Sequence, residues 1–382
     1  MTTPAGYDEL HDASGALRPI YAALSQAQHG ALAAPLAERP LGDDTRVAPI
    51  PLVLDDGEYR AVIEAGIRQR ACALQALFAD IVGGGRGVLG GGVLDEILAS
   101  EGTSATRLRQ LWQGRERDAV CFVYGPDLLR EPSGRWVVIE DNVGCVGGCA
   151  DASLVHDAYC DAVGLPRSPR QDLAVAVCRW LERLDVRPAD AVAVVSDCGR
   201  DPRFGEDARR AAILAELGLQ LETHPSPMAV VNVGAHARMT CERLADWVEQ
   251  RVPMLNAPGT GVLGNKALLP SVNQLIRHYC GEEPLLRSPE THVVRTDTPV
   301  DGCVVKGAAG CGGGLPRTDE LRVAQRSVEP SCMRDATVEL RPFAYVLGYG
   351  DVVVAEHPVA KYATGTSHHI SNGAAYAAVI RR

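Results

Sequence analysis

The chain has 382 residues, 46% of them hydrophobic and 23% charged, with a formal net charge of −10. That length accommodates two or three subdomains with their own cores, and the composition is that of a globular protein rather than a disordered or fibrous one. The acidic balance argues against nonspecific binding to nucleic acid or to an anionic membrane, and no apolar run is long enough to span a bilayer.

The opening MTTPAGYDELHD lacks the basic and apolar regions of a secretory signal, so the expected compartment is the cytoplasm. Twelve cysteines are scattered with no CxxC pair, which disfavours a zinc ribbon or finger and leaves reduced, buried thiols as the expectation. Tyr7 to Leu24 reads as a polar opening followed by a short helix entered through Pro19. Arg39 to Leu52, rich in Pro and Asp, reads as loop. Apolar residues at helical spacing predict a long amphipathic helix from Tyr59 to Ile81. The glycines of Gly83 to Gly92 suggest a flexible connection, and they lack the Lys-Ser/Thr ending of a P-loop.

The central stretch, Tyr124 to Asn142, reads as a β-hairpin. The apolar run from Val120 to Tyr124, continued by Leu128 and Leu129, meets a Pro-Ser-Gly turn at Pro132 to Gly134 and returns through Trp136 to Ile139. Pairing across it brings Asp127 near Glu140, and strand alternation turns Glu140 and Asn142 to one face and Asp141 to the other. Two carboxylates and an amide oxygen on one face form a hard oxygen set suited to Mg²⁺; the competing reading is ordinary solvated strand-end polarity.

After a glycine-rich loop, helices are predicted over Val155 to Ala162 and Ala174 to Leu184. The strand AVAVVSD, a helix from Asp207 to Leu217, LQLETH and MAVVNV then alternate in βαβ fashion, predicting a small parallel-sheet subdomain. Gly259, Gly261 and Gly264 precede Lys266, which starts a helix running to about Tyr279. A strand ending in Lys306 opens into the glycine loop Gly307 to Gly314. Ammonium groups beside unobstructed backbone N–H groups suit a nucleotide polyphosphate, although either feature alone is commonly a solvated lysine or a plain loop. The tail reads as antiparallel strands around a Gly-Tyr-Gly-Asp turn. Within it, Arg341 lies among apolar neighbours and calls for an anionic partner, either a bound phosphate or carboxylate or a nearby acid such as Glu339. His368 and His369, adjacent on a strand, point to opposite faces and read as a solvated pair.

In combination these segments resemble the circularly permuted ATP-grasp type 2 family, and more distantly the synthetase half of glutathionylspermidine synthases. The resemblance rests on Tyr7-Asp8-Glu9, Arg18-Pro19, Gln69-Arg70, Asp127 to Asn142, Asn256 to Ala267, Val304-Val305-Lys306 and Glu339 to Phe343, in the family's order. It implies an α+β, circularly permuted ATP-grasp fold with antiparallel sheets around the nucleotide and a small α/β subdomain. The corresponding division is 1–170 for the first part of the core, 171–255 for the subdomain, and 256–382 for the ATP-binding lid and the rest of the core.

The resemblance further implies that Asp127, Glu140 and Asn142 hold Mg²⁺ and that Lys266 and Lys306 contact ATP phosphates. Gly310, Gly312 and Gly313 would close over them, Gln325 would lie near the adenine, and Arg341 and Asn372 would line the phosphate and acyl side. The implied activity joins a small-molecule carboxylate to an amine, on an amino acid or small peptide, through an acyl phosphate. Partners would be these small molecules, with no nucleic acid or membrane, and a homodimer would match the base rate. Where the family follows its Glu-Asp-Asn with an Arg and Pro-Ser-Gly, this chain has Gly144, Val146, Gly147 and Gly148, and the Arg-Arg-Ile-Asp-Asp stretch is absent. The nucleotide half matches and the acceptor half departs, which implies a different substrate. Two other readings compete: an ATP-binding pseudoenzyme or regulatory protein, and a variant using Cys145 or Cys149 as a reactive thiol.

Overall fold

The computed structural model describes residues 6–24, 39–40, 45–85, 88–144, 146–169, 171–188, 192–195, 205–221, 227–232, 246, 248–295, 300–309, 321–365 and 373–382. Gly310, Gly312, Gly313, Asn372, Cys145, His368 and His369 lie outside the described residues. Among those described, no helix is long and apolar enough to cross a membrane.

Among the described residues a nine-stranded sheet forms the centre, running in the order Arg39–Pro40, Arg46–Val47, Ala375–Arg381, Val359–Ala363, Ala336–Arg341, Asp127–Arg130 and Trp136–Glu140, with Leu52–Leu54 and Cys332–Met333 joined at its sides. Two strands thus fall within Arg39 to Leu52, where the Pro- and Asp-rich sequence reads as loop. They form because their register is supplied from outside, by parallel pairing of Val47 with Tyr376 in the distant C-terminal strand.

The hairpin is present, with Leu128 opposite Val138, Arg130 opposite Trp136, and a bulge that places Asp127 opposite Glu140. Its first strand is shorter than the apolar run suggests. Phe122–Tyr124 instead pairs with Ala344–Gly348 in a separate three-stranded antiparallel sheet completed by Asp351–Val354. The break is at Gly125 and Pro126, where proline offers no N–H to a ladder. A Cβ at Gly125 would come within 2.4 Å of Val146, so glycine admits the loop that crosses there.

The predicted long helix is continuous, as a π-turn segment Tyr59–Glu64 followed by Ala65–Val82. Gly91 and Gly92, expected in a loose connection, begin the helix Gly91–Ser100. Asp151–Val163 and Asp172–Arg183 are helical as expected. The βαβ alternation gives a parallel sheet in the order Met254–Leu255, Ala229–Asn232, Val192–Val195 and Gln220–Leu221, with the helix Gly205–Glu216. A further antiparallel sheet holds Arg322–Arg326 between Thr291–Val294 and Cys303–Gly307.

Two buried arginine clusters fix the hairpin. Arg130 contacts Glu9 and Glu58 and stacks against the rings of Tyr7 and Trp136, so the start of the chain seals the outer end. At the inner end Asp141, facing away from Glu140, is gripped by Arg70 from the long helix at 3.0 and 2.6 Å and accepts a hydrogen bond from the Tyr124 hydroxyl. Arg70 also donates to the carbonyl of Leu286 and to Ser288 Oγ, each at 3.1 Å. It is fully buried and Asp141 is nearly so. Replacing one member leaves the other charge without compensation in the core, so Arg70→Ala is expected to cost about 3–5 kcal/mol. Reversible urea denaturation would read this, and a loss below about 1 kcal/mol would show that the pair does not anchor the hairpin.

Candidate active site

Asp127, Glu339, Arg341 and Lys361 share one face of the central sheet because alternate residues of a strand project together. Glu339 and Lys361 are directly opposite in register, and Leu340 pairs with Leu128, which places Arg341 across from Asp127. Arg341 forms a fork on Asp127, with Nε to Oδ1 and Nη2 to Oδ2 both at 2.6 Å, and donates from Nη1 to the carbonyl of Gly147 at 2.9 Å. The Lys361 ammonium donates to Asp127 Oδ1 at 3.1 Å and to Glu339 Oε1. Of the two anions weighed for Arg341, the neighbouring acid is the one seen, but it is Asp127; Glu339 is taken by Lys361.

Burial opposes ionisation of Asp127, and Arg341 followed by Lys361 outweighs it, holding this carboxyl well below the usual range. Burial, and then the charge of Asp127, push the Glu339 carboxyl upward. Sequence reasoning missed Lys361; the available signal was a lone cation in the apolar strand VAKYA.

The other expected residues surround this cluster. Asn142 donates from Nδ2 to Asp127 Oδ2 at 3.2 Å and to the carbonyl of Gly125 at 3.1 Å. Glu140 is ion-paired with Lys266 at 3.0 Å. The Lys266 backbone N–H donates to the carbonyl of Ala308, just beyond the strand that carries Lys306. Lys306 donates to Gln325 Oε1 at 3.1 Å, while Gln325 Nε2 donates to the carbonyl of Ile139 at 3.1 Å. Lys306 and Gln325 lie on one face because Lys306 pairs with Val323, two residues from Gln325. The sheet bearing the start of the glycine loop is therefore tied at two points to the inner end of the hairpin.

Among the described residues no group of three or more His, Cys, Asp or Glu is arranged to hold a metal. Asp127, Glu140 and Asn142 contribute two carboxylates and an amide, adjacent in register, with only oxygen ligands to offer. That donor set fits a hard divalent cation that keeps part of its water shell. Both carboxylates are ion-paired, so a cation would displace or share their present partners.

The glycine-rich loop after Asn142 is filled from the parallel-sheet unit. Glu206 accepts the N–H groups of Gly148 at 2.7 Å and Ala150 at 3.2 Å, and Arg210 pairs with Glu206 and donates to the carbonyl of Val146. Where the sequence comparison misses a cation, the fold brings Arg210 and, through Gly147, Arg341. Cys149 is buried and its thiol is pushed up to about 11 by burial, which weighs against a reactive thiolate there.

The family model for circularly permuted ATP-grasp type 2 matches residues 51–155 and 236–305. A Frankia alni protein provisionally named glutamate–cysteine ligase 2-3 is 26% identical over 379 residues, covering 81% of this chain and 43% of its own length. A Frankia casuarinae protein with the corresponding provisional name, 2-2, is 25% identical with the same coverage. The chain thus spans less than half the length of these relatives. An uncharacterised Synechocystis protein is 25% identical over 64% of this chain and 57% of its own. A glutathione synthetase-like effector from Globodera pallida, solved in its apo form, superposes with a TM-score of 0.57 at 12% identity, covering 93% of this chain and 95% of the other. That likeness establishes a shared fold of mixed α/β type built from several sheets.

The loop under Arg341 yields a paired test. Gly148 has φ +89°, and a Cβ there would lie 3.0 Å from the Tyr376 hydroxyl, whereas a Cβ at Gly147 meets only ordinary contacts at 3.5 Å and beyond. Gly148→Ala is expected to lose about 1–3 kcal/mol from the left-handed backbone alone. Gly147→Ala should stay within about 0.5 kcal/mol. Chemical denaturation of both variants decides, and equal losses would mean that the loop rearranges freely.

Proposed function

We propose that this chain, a relative of the circularly permuted ATP-grasp proteins, is an ATP-dependent ligase that joins a carboxylate to an amine through an acyl phosphate, with an amino acid or small peptide as substrate. The observation that carries the reading is the convergence of Arg341, Lys266 and Lys306 on the inner end of the hairpin, from three segments distant in sequence. Arg341 meets Asp127, Lys266 meets Glu140, and Lys306 meets Gln325 beside Ile139. Phosphoryl transfer needs little covalent chemistry from a protein and much positioning of positive charge, and cations from separate elements around one point supply that.

In this reading Lys266 and Lys306 hold the polyphosphate, and Gly310, Gly312 and Gly313 belong to the loop that covers it. Gln325, which already spends its amide on a backbone carbonyl and its oxygen on Lys306, fixes the height of that lysine. Arg341 would steady charge on the reacting carboxylate at the acyl side, a role shared in this proposal with Asn372. Asp127, Glu140 and Asn142 would hold magnesium, which when bound neutralises charge on the transferred phosphoryl group. The names of the Frankia relatives favour a peptide-type bond as the product. The Glu206–Arg210 pair lodged against the glycine loop, in place of the single cation of the family pattern, favours an acceptor different from the family's usual one.

ADP release from Mg-ATP, screened against pooled amino acids and short peptides, tests the proposal. Substrate-dependent ADP is expected, and Lys306→Ala and Glu140→Ala should each lower it by at least about 100-fold, the usual scale for removing a transition-state contact. ATP binding without turnover in any pool would replace the ligase by a nucleotide-dependent regulator. No binding at all would sink both.

A further inference from the structure

A carboxylate offers about four lone-pair positions to donors. On Asp127 four nitrogen donors meet them: Arg341 Nε and Lys361 Nζ on Oδ1, at 2.6 and 3.1 Å, and Arg341 Nη2 and Asn142 Nδ2 on Oδ2, at 2.6 and 3.2 Å, with the Glu339 carboxyl also within hydrogen-bonding reach. A metal ion therefore reaches Asp127 only if one of these donors withdraws.

Withdrawal is unequally costly among the three residues. Arg341 is held as a fork on both oxygens and by a further bond to the carbonyl of Gly147, so moving it breaks three contacts together. Turning the Asn142 amide breaks its bond to the carbonyl of Gly125 as well. Lys361 already touches a second carboxylate, Glu339, directly opposite it in the sheet. It can leave Asp127 and still donate to the Glu339 carboxyl, which matters because Lys361 and Glu339 are both about 95% buried. A divalent cation arriving alone would meet the positive charges of Lys361 and Arg341 around one oxygen pair. A polyphosphate arriving with it brings the negative charge that offsets that repulsion.

We propose that Lys361 and Glu339 form a latch over the Asp127 oxygen that a metal ion takes. With Lys361 on Asp127 the site is closed to free divalent cation. Lys361 draws back onto Glu339 when the cation comes together with the nucleotide, so metal loads as the metal–nucleotide complex and not ahead of it. Lys361 is thus a positioning residue, and its role rests on the reading of Asp127 as a metal ligand.

Mn²⁺ serves as the probe, with free ion measured by electron paramagnetic resonance during titration of the full chain, with and without a non-hydrolysable ATP analogue. The variant Lys361→Met/Glu339→Gln removes both charges of the latch together, so no buried ion is stranded. The wild-type chain is expected to bind Mn²⁺ at least tenfold more weakly without the analogue than with it. The double variant should bind nucleotide-free Mn²⁺ at least tenfold more tightly than the wild type. Equal nucleotide-free affinities in the two proteins overturn the latch. Lys361→Arg, which keeps both carboxylates bridged, should bind nucleotide-free Mn²⁺ no better than the wild type, and tighter binding by it also overturns the proposal. Asp127→Asn separates the two levels: analogue-dependent Mn²⁺ binding that survives this substitution removes Asp127 from the ligand set, and the latch falls with it.

Discussion

The fork of Arg341 on Asp127 spans 214 positions in sequence and closes the central sheet around its charged face. Pairing between the hairpin and the strand Ala336–Arg341 is short, with Leu128 opposite Leu340. The charged fork completes what so brief a ladder begins. Its cost is the burial of ions, and the sheet meets that cost by placing two cations and two carboxylates on one face, where each has a partner. Such a cluster is a poor source of net stability and a strict specifier of geometry, because any slip in register strands a charge.

The inner end of the hairpin is held from both sides. Glu140 and Asp141, adjacent in sequence, separate onto opposite faces: Glu140 meets Lys266, and Asp141 meets Arg70 from the long helix. The buried anchor and the pair facing the candidate site are thus a single residue apart. Arg70 holds the backbone in place from the core, and the opposite face stays available to the lysines. This explains why so polar a strand end persists inside the molecule, where burying an unpaired carboxylate would be far more costly than pairing it.

The glycine loop beneath Arg341 depends on a different unit. Glu206 and Arg210 reach from the helix beside the parallel sheet into the loop at Gly147, Gly148 and Ala150, and that loop in turn carries the carbonyl that holds Arg341. A change in the position of that helix would move the backbone beneath Arg341. The glycines make the close approach feasible: at Gly148 the backbone is left-handed and a Cβ would sit tightly, 3.0 Å from the Tyr376 hydroxyl.

Local chemistry determined much of this protein. The hairpin was legible in two apolar runs around Pro-Ser-Gly, the long helix in its 3.6-residue period, and the parallel unit in the βαβ alternation, because each signal lies within a window of neighbouring residues. The opposite facing of Glu140 and Asp141 follows from strand alternation alone. Tertiary structure decided what each charge meets. Arg341 could have chosen Glu339, two positions away, but the antiparallel register sets it against Asp127 and hands Glu339 to Lys361. Phe122–Tyr124 left the hairpin for another sheet because its partner strand, Ala344–Gly348, arrives from more than two hundred residues away. Lys361 carried no motif, and its place over Asp127 exists only once the strand Ala336–Arg341 lies between Val359–Ala363 and Asp127–Arg130, since ion pairing in a core is set by register and burial, which no local window contains.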